Sequence, residues 1–89
     1  MEKDIKTMKS EAQEALDELF AKGQIPFELS ARAVESIGME EYIIRFYDSR
    51  LFSIDVSYRR GQTFKTVFTR AILGRVARLR GAHLLARTA

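Results

Sequence analysis

His83 is the only histidine in the chain, and there is no cysteine. Disulfides, thiol chemistry and Cys-ligated zinc or iron–sulfur clusters are therefore excluded, and a single histidine cannot build a multi-histidine metal site within one chain. His83 stands alone and reads as an exposed residue rather than a general base. The carboxylates Asp48 and Asp55 could in principle pair with Glu35 or Glu41 for acid–base or metal chemistry. Asp48 fits better as a turn residue bonding its own backbone, and strand parity puts Glu35 and Asp55 on opposite faces. Phosphate-cradling glycine loops and nucleophile elbows are missing. The expectation is a non-enzyme without cofactor or metal.

Charge is the stronger signal. The net +3 of the 89-residue chain hides a split, −5 over residues 1–41 and +8 over residues 42–89. From Arg59 onward there are eight Lys/Arg and no acid. Arg59, Arg60 and Lys65, followed by Arg70, Arg75, Arg78 and Arg80, could contact phosphates, with salt-sensitive affinity from counterion release. The competing expectation is internal compensation, in which Glu11, Glu14, Asp17 and Glu18 of an acidic helix lie beside the basic one.

The elements that must position these residues follow from periodicity. Ile5, Met8, Ala12, Ala15, Leu16 and Leu19 form one apolar stripe of a helix over about 4–22, stopped by Gly23. Alternation predicts strands at about 27–37, 40–47 and 51–58. Gly38-Met39 is a candidate two-residue turn, and Asp48-Ser49-Arg50 a three-residue one. Thr63 is a reasonable N-cap for a second helix over about 63–80, whose stripe is Phe64, Val67, Phe68, Ala71, Ile72, Val76 and Leu79. Gly81 is read as its stop, and the tail 81–89 is expected to fray. Gly74, inside that helix, suggests close packing or a kink.

Register follows from loop length, because a one-residue slip sends every side chain to the other face. The two loops place Ala31 opposite Phe46, Ala33 opposite Ile44, Phe46 opposite Phe52, Ile44 opposite Ile54 and Tyr42 opposite Val56. The open face then holds Ser30, Arg32, Val34, Ile43, Arg45, Tyr47, Ser53, Asp55 and Ser57, with Arg32 facing Arg45. Arg32, Arg45 and Tyr47 become a candidate patch for an acidic partner or anion, and Ile43 with Val34 an apolar spot for a dimer contact. Arg75 falls inside the apolar stripe of the second helix, with Glu35 as a candidate partner.

The fold class expected is α+β: an α-β-β-β-α two-layer sandwich in a single domain over 1–89, its three-stranded antiparallel meander covered on one face by two helices. That order resembles the order of double-stranded-RNA-binding domains. Of their sequence marks, Lys65 alone stands where a lysine cluster begins the second helix, and the Gly-Pro-x-His element between the first two strands is missing. The resemblance therefore covers element order and brings no function with it. No apolar run approaches the roughly 20 residues of a spanning helix, and Met1-Glu2-Lys3-Asp4 does not begin a signal peptide. The functional expectation is a cytoplasmic protein-interaction or self-associating module, a homodimer included. The alternative is a nucleic-acid-binding module using the basic second helix and the Arg59-Arg60 loop. The residues at stake are Arg32, Arg45, Tyr47, Arg59, Arg60 and Lys65.

Overall fold

Asp4 opens the first helix, α1 (Ile5–Ala21), by accepting the Thr7 amide proton on its Oδ1 at 2.8 Å. That backbone hydrogen bond holds the Asp4 carboxyl below the usual carboxylate range. At the other end, the Gly23 amide donates to the Phe20 carbonyl and the Gln24 amide to the Leu19 carbonyl. Gly23 sits at φ +72°. This is a Schellman stop, and it needs the left-handed conformation that glycine adopts without a steric penalty. The stop turns the chain so that Ile25, just beyond it, is buried in the core.

The structure is a computed structural model that describes residues 4–48 and 51–88, with 80–88 described as backbone only. The remaining elements are β1 (Ala31–Gly38), β2 (Glu41–Phe46), β3 (Ser53–Ser57) and α2 (Phe64–Thr88). The strands form one antiparallel sheet in the order β1-β2-β3. Both helices pack on one face of it, α1 against β1 and α2 against β3, and touch each other. This is the α+β sandwich that the periodicities predict. The core joins Met8, Leu16 and Leu19 of α1 to Val34, Ile44, Ile54 and Val56 of the sheet and to Phe64, Phe68, Ile72 and Val76 of α2.

An aromatic chain ties sheet to helix. Tyr42 lies against Tyr58 with ring centroids 6.3 Å apart, and Tyr58 meets Phe64 edge-on at 5.4 Å. Phe64 stacks on Phe68 at 6.0 Å, and Phe68 reaches Phe46 at 6.4 Å. Offset and edge-on arrangements of this kind are the favoured geometries of aromatic quadrupoles.

Strands β2 and β3 pair as expected, with Tyr42 opposite Val56 and Ile44 opposite Ile54. The β1–β2 register does not follow the expectation throughout. Ala31 faces Phe46, but Ala33 faces Arg45 and Val34 faces Ile44. One extra residue, Arg32, is accommodated as a bulge, which inverts the parity of the residues after it. Val34 therefore belongs to the core, not to the open face, and Glu35 to the open face, not to the apolar side. A second irregularity between Ser36 and Gly38 moves the turn. Gly38 pairs with Glu41, so the connecting residues are Met39 and Glu40 rather than Gly38-Met39, and Glu40 takes the left-handed conformation at φ +61°.

Three smaller differences have local causes. The segment before Ala31 is not strand, since the partner strand β2 ends at Phe46, and the Gln13 side chain of α1 bonds the outward backbone groups there. Leu51, not Phe52, fills the core at the start of the third strand, leaving Phe52 exposed. Helix α2 runs through Gly81 to Thr88. A single mid-helix glycine costs only about 1 kcal/mol relative to alanine, and the Ala and Leu residues after it favour continuation. Gly74 makes no close approach among the described residues, since a Cβ there would meet nothing within 4 Å. Ser49 and Arg50 of the expected second turn, and Ala89, lie outside the described residues.

Candidate interaction surface

The cross-strand pairs define what the uncovered sheet face carries. One row is Ala33, Arg45 and Ser53, and the next is Glu35, Ile43 and Asp55, followed by Gly38, Glu41 and Ser57. Arg45 Nε lies 3.4 Å from Glu35 Oε1, and the Ser57 hydroxyl donates to Glu41 Oε1 at 2.7 Å. The expected opposition of Arg32 and Arg45 does not occur. The bulge takes Arg32 out of the pairing, and a carboxylate from the same strand meets Arg45. The paired positions of the face therefore carry Glu35, Glu41 and Asp55 beside the cation Arg45, while Arg32 and Tyr47 are exposed just outside the paired rows. Ile43 and Ala33 sit half-buried among these groups. Tyr47 and Phe52 stand out at the neighbouring end of the sheet, 71% and 73% exposed.

The second candidate cluster lies at the start of α2. Lys65 donates to Glu18 Oε1 at 2.8 Å and to Glu14 Oε1 at 3.3 Å, bridging the two helices. Internal compensation between acidic and basic helices is thus present at this lysine. Arg59 Nε lies 3.3 Å from Glu40 Oε2, and its backbone forms a closed turn with Gln62 around Gly61 at φ +93°. Arg60 is exposed in that turn and makes no ion pair among the described residues. Arg75 is half-buried on α2, and its suggested partner Glu35 is engaged by Arg45 on the other face of the sheet. Beside Lys65, a shallow concavity of about 400 Å³ is lined by Thr66, Thr69, Arg70 and Leu73.

The hydrogen bond from Lys65 is the main cause that lowers the Glu18 carboxyl below its ordinary range, and the bond to Glu18 is the main cause that raises the Lys65 ammonium above its own. The signs fix a pH dependence. The Glu18 contribution is full above its unfolded pKa and fades as pH falls through its lowered folded value. The Lys65 contribution is full below its unfolded pKa and fades as pH rises through its raised folded value. Substituting Lys65→Met should return the Glu18 titration, followed by carboxyl NMR, to the ordinary glutamate range. An unchanged Glu18 titration in that variant would show that the bridge is not formed.

One structural residue beside the sheet edge was missed from the sequence. Gln13 accepts the Ala31 amide proton on Oε1 at 2.7 Å and donates from Nε2 to the Leu29 carbonyl at 3.2 Å and to Asp17 at 2.9 Å. It holds the outer backbone edge of β1 where the strand begins. Its position on the flank of the α1 stripe was the available signal, since a long amide there can reach a strand under the helix.

Among the described residues no group of three His, Asp or Glu side chains is placed to hold a metal ion, and no helix is long and apolar enough to cross a membrane. No protein-family model, no curated protein and no solved structure matches the chain.

Proposed function

We propose that the chain is a non-catalytic protein-interaction domain that works through its uncovered sheet and the exposed strand edge beside it, self-association included. The observation that carries the reading is the Lys65 bridge to Glu14 and Glu18. It engages the lysine on which polyanion binding at the start of α2 would depend, as Glu40 engages Arg59. What stays available on the sheet side is mixed in character: half-buried Ile43 and Ala33 framed by carboxylates, with exposed Tyr47 and Phe52 nearby. Patches with an apolar centre, aromatic anchors and a polar surround are what protein partners bury. The same reading takes the domain to act in the cytoplasm, a reducing setting that suits a cysteine-free chain.

The second reading, a nucleic-acid-binding module, is favoured by one feature. Arg70 lines the concavity on α2 beside Thr66 and Thr69, and neither Arg70 nor Arg60 forms an ion pair among the described residues. Titration with single- and double-stranded DNA and RNA at low and moderate salt separates the two. No binding at low salt is expected. Binding that falls with salt, and whose salt slope drops by about one unit for each of Arg60→Ala and Arg70→Ala, would overturn the interaction reading in favour of the second.

A further inference from the structure

The two edges of the sheet are finished differently. On β1 the outward Ala31 amide and Leu29 carbonyl are occupied by Gln13, and two bulges interrupt the rest of the strand. These are devices by which native sheets refuse another strand. On β3, among the described residues, there is neither a side chain bonded to the outward backbone groups nor a bulge. Its pairing to β2 is regular from Arg45–Ser53 to Glu41–Ser57. The Phe46 amide donates to the Phe52 carbonyl and the Tyr58 amide to the Glu40 carbonyl, which fixes the alternation. Residues 52, 54, 56 and 58 turn their backbone groups to β2. Ser53, Asp55 and Ser57 turn theirs outward, where no backbone partner meets them among the described residues.

We propose that this edge pairs with β3 of a second copy of the chain, antiparallel across a two-fold axis at Ile54, to give a continuous six-stranded sheet. The inference rests on the protein-interaction reading and names the partner. Three registers set at least two outward residues of Ser53–Ser57 against outward residues of the other copy. An axis at Asp55 sets the Asp55 carboxylates of the two copies against each other, which is unfavourable. Axes at Ile54 and Val56 both place Asp55 opposite a serine, Ser53 or Ser57 of the partner, whose hydroxyl can donate to it. The axis at Ile54 uses Ser53, whereas the Ser57 hydroxyl that the axis at Val56 would need already donates to Glu41 Oε1. A two-fold contact is self-complementary, and the Ser53-Ile54-Asp55 sequence meets that condition on its own. The pairs Ser53 with Asp55 and Asp55 with Ser53 would each exchange both backbone hydrogen bonds.

The test is sedimentation of the full chain from low to high micromolar concentration. A reversible dimer is expected. Ser53→Pro removes an amide that takes no part in the ladder, so the monomer should keep its circular dichroism while the dimer is lost. Ser53→Asp sets two carboxylates opposite each other twice across the axis while lying beside Arg45 within its own chain. It should weaken the dimer roughly tenfold, and Ser57→Asp should leave it unchanged. Ile43→Glu, on the open face, should also leave it unchanged. A strict monomer at every concentration overturns the proposal, as does a dimer that survives Ser53→Pro. Loss through Ser57→Asp instead of Ser53→Asp overturns the register. A dimer broken by Ile43→Glu alone overturns the edge contact yet supports the interaction reading, whereas salt-sensitive binding of nucleic acid defeats that reading whatever the oligomeric state.

Discussion

Truncating Phe68 to alanine should remove about 3–5 kcal/mol of folding stability, the cost of deleting a fully buried aromatic ring and leaving part of its volume empty. Phe68 is completely buried, stacks on Phe64 within α2 and links the helix to Phe46 of β2. Its loss cuts the aromatic chain between Phe64 of the helix and Phe46 of the sheet. Native domains are stable by only about 5–15 kcal/mol, and a small one sits toward the low end. Thermal denaturation should therefore shift down by more than about 15 °C. Phe20→Ala is the matched control, because that ring is substantially exposed at the edge of α1, and it should change stability little. Equal effects of the two substitutions would mean that α2 does not pack as described.

The second large effect belongs to Gln13. Gln13→Ala should cost about 1–3 kcal/mol, because it strips partners from the Ala31 amide and the Leu29 carbonyl, two half-sheltered backbone groups. Little packing is lost, so the origin of the change can be read locally. Hydrogen exchange of the Ala31 amide should accelerate, while the Ile44 amide in the central strand changes only with global stability. Gln13→Glu is informative beside it. A carboxylate still accepts from Ala31, but it cannot donate to Leu29 and it adds a negative charge next to Asp17. It should fall between alanine and the native residue in Ala31 protection. If Ala31 exchanges equally fast in all three proteins, the side chain is not closing that edge.

The parts that were legible share one property: their pattern has a single period over its whole length. The α1 stripe from Met8 to Leu19 and its glycine stop read directly, as did the β2–β3 register, where Ile44–Ile54 and Tyr42–Val56 leave no second solution. The middle of β1 was not legible. Ala31, Ala33 and Val34 are all small and apolar, so each phase of a period-two pattern fits them. Glu35 was the warning. The uninterrupted phase sends its carboxylate into the core, and burying an unpaired charge costs far more than a bulge. The same slip set Arg32 opposite Arg45 and kept Glu35 away from it. Gln13 was missed because a side-chain amide that replaces a neighbouring strand has no periodic signature. At Leu51 and Phe52 the pattern offered two adjacent apolar residues, and the choice between them depends on how the loop delivers the chain to the core. Gly81 misled because a stop needs left-handed backbone as well as glycine, and only the former is decisive.

From Ala31 to Gly38, β1 takes seven steps to cover what β2 covers in five between Phe46 and Glu41. At roughly 3.3 Å per step, one margin of the sheet carries about 6–7 Å more contour than the strand bonded to it. Joined strips of unequal length cannot stay flat together, and the surplus must be taken up as bending of the longer one. The sheet thus has a built-in direction of curl, set by two residues of excess chain rather than by any side chain. Deleting one of the two residues would therefore do more than remove a side chain: it would change how strongly this margin is forced to bow.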